Sequence, residues 1–148
     1  MTTQVAATVQ NQSTGNVYTR LIWVTPLVMI VTTIANLGLY AAAGALYPEV
    51  TTWPGAGPVE IVGASIVYLL IGSLVYAAVQ RWSGRPIRTY VIMATIGLIF
   101  SLWMPISVGL GFGPPGTMIA SPATSITLSL MHILSYAITV PMTIRLTS

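Results

Sequence analysis

The chain has 148 residues, of which five are basic and two acidic; it has no cysteine, and 55% of it is hydrophobic against 5% charged. A soluble domain carries about a quarter charged residues, so this composition excludes an ordinary water-facing surface and points to an integral membrane protein. Without Cys there is no disulfide framework, thiolate metal site or dithiol couple, and the scattered arginines form no patch that could track nucleic acid.

Residues 1–18 are polar and rich in Gln, Thr, Asn and Ser, a composition that predicts a flexible cytoplasmic tail. The remainder, 19–148, reads as a single transmembrane domain. Four uncharged runs follow, Leu21–Leu46, Val59–Val79, Ile87–Leu110 and Thr124–Ile144. Each is long enough to cross about 30 Å of hydrocarbon as a helix rising about 1.5 Å per residue. Ala41-Ala42-Ala43-Gly44-Ala45 has the small residues of a leader-peptide cleavage region. The apolar run before it outlasts the roughly 7–15 residues of a signal core, however, so span one is expected to stay.

The runs are separated by helix-breaking segments. Tyr47-Pro48 and Trp53-Pro54-Gly55-Ala56-Gly57-Pro58 end the first hairpin. Ser83-Gly84-Arg85-Pro86 is a tight connection that puts Pro86 at a first helical position, where its missing N–H is harmless. Gly111 to Gly116 breaks the chain after span three, and Ser121-Pro122 reads as an N-cap followed by a first-turn proline. Short connections make successive spans antiparallel neighbours. The expected fold is therefore all-α, an up-down-up-down four-helix transmembrane bundle with spans one and four adjacent.

Charge sets the expected orientation. Arg20, Arg81, Arg85, Arg88 and Arg145 all fall at one end, and Glu49 and Glu60 at the other. Positive flanks stay in the cytoplasm, which predicts a multi-pass plasma-membrane protein with both termini inside. Tyr18, Trp23, Trp82 and Tyr90 would anchor the inner interface, and Tyr47, Trp53 and Phe112 the outer one.

Helices in lipid associate through close backbone approach and interhelical hydrogen bonds. Ala35, Gly38, Ala42 and Ala45 of span one, and Gly63 and Gly72 of span two, are the expected packing surfaces. In span four, Ser125, Ser129, His132, Tyr136, Thr139 and Thr143 form a polar stripe at three- and four-residue steps, expected to face the bundle interior. Depth arithmetic puts Asn36, Tyr68, Ser101 and His132 in one layer, roughly 1–4 Å from the midplane. That layer suggests a bond from His132 to Asn36, completed by Tyr68 or Ser101.

Two readings of the layer stand. It is polar glue between helices, or it is a ligand site in which the His132 imidazole ligates a tetrapyrrole metal, lines a pocket or relays a proton. One His without Cys or adjacent carboxylates supplies too few ligands for a structural metal site. Glu60 in the first turn of span two suits the helix dipole. No carboxylate lies in a span and none orients His132, so neither acid–base nor nucleophilic catalysis is expected.

Arg85-Pro86-Ile87-Arg88-Thr89, Leu128-Ser129-Leu130-Met131-His132-Ile133, Pro141 and Arg145 resemble an uncharacterised bacterial family of small four-span membrane proteins, common in actinobacteria and filed as a domain of unknown function. The likeness runs loosely from Arg20 to Arg145. It implies the four-span fold and draws attention to His132, with no activity to carry over. The resulting expectation is a small accessory or structural subunit that packs in the bilayer against other membrane proteins or copies of itself, without a cofactor. A ligand- or pigment-binding bundle centred on His132 is the alternative, and a small-molecule carrier a weaker one.

Overall fold

The computed structural model describes residues 2–113 and 118–148, with side chains from residue 17 onward. Pro114, Pro115 and Gly116, part of the expected break after span three, lie outside the described residues. The helices are α1 (Thr2–Leu46), α2 (Glu49–Thr52), α3 (Pro58–Trp82), α4 (Pro86–Gly109) and α5 (Pro122–Thr147). Those of α1 from Val17 onward, α3, α4 and α5 are long and apolar enough to cross a membrane, which makes this a multi-pass membrane protein.

The helix ends follow from local chemistry. Pro58, Pro86 and Pro122 each open a helix at the first turn, where an N–H would lack a partner anyway. Ser121 caps α5, its hydroxyl accepting from the Thr124 amide at 3.1 Å. At the end of α4, Gly111 takes a φ of +80°. This lets the Phe112 amide reach back to the Ser107 carbonyl at 2.8 Å, and the glycine removes the Cβ penalty of that left-handed turn. At its other end α1 is longer than expected and begins at Thr2, so helix occupies the stretch expected as a tail. Adding turns to a helix already formed needs no new nucleus, and residues 2–16 hold no proline.

The four long helices form a closed ring in which α1 lies beside α3 and α5, and α4 beside α5 and α3. Spans one and four are therefore neighbours, as short connections require, and their contact is the broadest in the molecule, while α3–α4 is the narrowest of the four. One apolar cluster, Leu21, Tyr76, Tyr90 and Val140, fills the arginine end. A second, Tyr40, Val50, Ile61 and Met131, fills the acidic end. Val50 belongs to α2, a helix the sequence pattern did not announce; it is 1% exposed and plugs the bundle mouth. Thr124 Oγ1 donates to the Glu49 carbonyl at 3.4 Å, and Trp53 Nε1 to the Met118 carbonyl at 3.0 Å, so both outer loops are tied together.

Two expectations need correction. Tyr90 is not an interface anchor: it is buried, its ring meeting that of Tyr76 edge-on at 4.7 Å and 75°. Trp23, Trp82, Tyr47 and Phe112 do remain exposed. The expected packing residues Gly38, Ala42 and Gly63 face outward, Ala35 and Gly72 are only partly covered, and a Cβ placed on Gly38, Gly63 or Gly72 would meet nothing within 4 Å. Within the long helices the glycines at close approaches are Gly44, against Thr51, and Gly109, against Ser125. The cause lies on α1. Gly38, Ala42 and Ala45 are roughly 180–240° around the helix from Asn36, at 3.6 residues per turn. Only one of those faces can turn inward, and leaving an amide and hydroxyls in hydrocarbon costs more than leaving methyl groups there.

Candidate functional site

The polar stripe of α5 faces the ring, and none of its six residues is exposed. It is shared between two neighbours. Toward α4, Tyr136 and Thr95 hydroxyls meet at 2.8 Å, and Ser125 donates to the Pro105 carbonyl. Pro105 is buried at this seam, and the absence of a Cβ on Gly109 leaves room for Ser125. Toward α1, Asn36 Nδ2 donates to Ser135 Oγ at 2.9 Å, and Thr32 and Thr139 hydroxyls lie 3.4 Å apart. At the arginine end Tyr76 of α3 meets the Thr147 hydroxyl at 2.7 Å, while Tyr18 of α1 donates to the Ala77 carbonyl of α3 at 3.2 Å.

Each of these bonds joins one helix to another across the interior, and each group involved is neutral. Ser129, by contrast, bonds back to the Ser125 carbonyl within its own helix at 2.8 Å. Among the described residues these bonds tie helix to helix through hydroxyl, amide and carbonyl groups.

The expected four-residue layer does not assemble. Asn36 pairs with Ser135 and not with His132. Ser101 bonds the Leu98 carbonyl of its own helix at 2.8 Å, and Tyr68 is exposed on the outer side of α3. A similar distance along each helix does not bring side chains together unless the helices are also rotated to face one another. His132 is partly buried and makes no hydrogen bond among the described residues. On the α5 register it falls between Ser125 and Tyr136, which reach α4, and Ser135 and Thr139, which reach α1. The Asn36 Oδ1 atom is buried without a partner. Glu49 and Glu60 are exposed at the far end of the bundle, with Glu60 in the first turn of α3 as the dipole favours.

Sequence reasoning missed Thr32, Thr95, Ser135 and the Tyr76–Thr147 pair. Thr32 was readable, because it lies one turn from Asn36 on the same face. Ser135 and Thr95 were not, since each becomes special only through the residue that the ring sets opposite it.

Comparison with known proteins places the chain in a family without naming an activity. Residues 14–148 match the family of unknown function DUF6069, and the chain belongs to that family. No curated protein and no solved structure matches it.

Proposed function

We propose that this member of the DUF6069 family is a non-catalytic membrane subunit that works by packing its outer helical faces against another transmembrane protein, a second copy of itself included. The observation that carries the reading is the division of labour on α1. Its polar face is consumed inside the ring by Ser135 and Thr139, while Gly38, Ala41, Ala42 and Ala45 are exposed. Small residues on a lipid-facing helix allow another helix to approach closely. The neutral hydroxyl and amide bonds between the helices support the same reading, because among the described residues they bring no titratable pair together. The arginine end, by the bias of positive flanks, belongs in the cytoplasm of a plasma-membrane protein, with both termini on that side.

The test is the mass of the protein extracted in mild detergent, with co-purifying proteins identified. A complex larger than the 15.7 kDa chain that dissociates on Gly38→Leu is the expected result. A monomer that copurifies with nothing would overturn the proposal.

The unpartnered His132 favours a second reading, a bound ligand or tetrapyrrole taken by its imidazole. The visible spectrum of the same preparation separates the two. Colour that disappears in His132→Ala supports ligation, and a colourless complex leaves His132 as a packing residue.

A further inference from the structure

We propose that the cleft between α3 and α4 at the arginine end binds one acyl chain of an anionic phospholipid, whose phosphate is held by Arg81, Arg85 and Arg88. The cleft is a shallow, open groove of about 480 Å³ walled by Val75, Ala78, Val79, Trp82 and Met93. Its lining is mainly hydrocarbon: the Ser83 and Thr89 hydroxyls bond each other at 2.8 Å, which leaves the exposed Trp82 indole N–H as the free polar side-chain group of the lining. Such a surface suits an acyl chain better than a polar solute, with the Trp82 indole at the exposed edge.

This is also the seam least tied together. The α1–α5, α4–α5, α1–α3 and α3–α5 contacts each carry an interhelical hydrogen bond. Among the described residues α3 and α4 share the narrowest of the four ring contacts, which centres on the Tyr76–Tyr90 ring pair and carries no hydrogen bond between the bodies of the two helices.

The headgroup end is positively charged without compensation. Arg81, Arg85 and Arg88 are exposed, and among the described residues their guanidinium groups have no protein partner. Arg81 lies one turn beyond Ala78 on α3, and Arg85 and Arg88 flank the start of α4 just before Thr89. The first turn of α4 holds no acidic residue, so its dipole adds to the positive field. Both carboxylates sit at the opposite end of the bundle. Basic pockets between transmembrane helices take anionic headgroups, and each arginine near such a surface contributes roughly fivefold in affinity.

The test is native mass spectrometry of the full chain in dodecylmaltoside, titrated with phosphatidylglycerol and with phosphatidylcholine of the same acyl chains. Phosphatidylglycerol is expected to bind at least about tenfold more tightly, and Arg85→Gln with Arg88→Gln to bring the two lipids close to parity. Ala78→Phe, which fills the cleft, is expected to lower occupancy by both lipids. The arginine variants alter exposed, unbonded side chains, and an unchanged thermal melt by circular dichroism verifies their fold. Equal binding of the two lipids overturns the proposal. So does a preference retained without Arg85 and Arg88, undiminished binding in Ala78→Phe, or displacement of the lipid by millimolar inorganic phosphate, which would indicate a bare anion site.

Discussion

Asn36 of α1 donates its side-chain amide to Ser135 of α5 at 2.9 Å, across the broadest helix contact in the molecule. Interhelical bonds of this kind contribute about 0.6 kcal/mol on average and up to about 1.7 kcal/mol. Ser135→Ala is therefore expected to lower stability by an amount in that range or slightly above it, because it leaves a second polar group of Asn36 unpaired beside the Oδ1 atom. Asn36→Leu in the Ser135→Ala background should recover most of the loss, since removing both partners avoids the stranded amide. Reversible unfolding in mixed detergent micelles measures the cycle. A double variant as unstable as the single one would show that packing, and not the hydrogen bond, holds this contact.

Glycines on the two kinds of face should respond in opposite ways. A Cβ on Gly109 would run into Ser125 Oγ, so Gly109→Val is expected to destabilise the bundle by about 1–3 kcal/mol. Gly63→Ala meets nothing within 4 Å and should stabilise α3 by up to about 1 kcal/mol. Thermal melts of the two variants, read at the same detergent concentration, decide the comparison.

His132 has no hydrogen bond to lose among the described residues, whereas an unpaired imidazole within a span carries a solvation cost. Replacement by Leu, of similar volume, is expected to leave stability unchanged or raise it by up to about 1 kcal/mol. A fall of more than about 2 kcal/mol would reveal a partner for the ring that the packed bundle alone does not supply.

Span positions and their ends were legible in the sequence because they rest on one-dimensional signals. Pro86 and Ser121-Pro122 announce helix starts, and the sequestration of arginine from glutamate fixes which ends lie together. Azimuth around each helix was not legible. The polar face of α1 through Asn36 and the small-residue face through Gly38 were both expected to point inward, although they lie on opposite sides of one helix. The His132–Asn36 pairing failed for the same reason, as two side chains at one level meet only if both helices are rotated to allow it. Val50 was hidden in a different way, for a lone valine among Thr and Pro is a plug only where three other helices happen to end around it.

The cysteine-free chain makes orientation easy to examine. Gly84→Cys lies in the connection at the arginine end, where an added side chain meets nothing within 4 Å, and Thr52→Cys lies exposed at the acidic end. A membrane-impermeant maleimide added to intact cells is expected to label Thr52→Cys at once, and Gly84→Cys only after the membrane is permeabilised. The reverse pattern would place the termini outside.

The partners of Thr32 and Asn36 lie 107 and 99 residues further along the chain. During synthesis the first span enters the bilayer well before the last, so its amide and hydroxyl must wait in hydrocarbon for helices not yet translated. The α3–α4 hairpin, by contrast, is joined by a three-residue connection and forms from local contacts. The ring is thus a clasp that only its final segment fastens, and a ribosome stalled before α5 would leave an open three-helix assembly with a polar seam facing the lipid. Such an intermediate is the kind of substrate that membrane chaperones and intramembrane quality-control proteases are built to recognise.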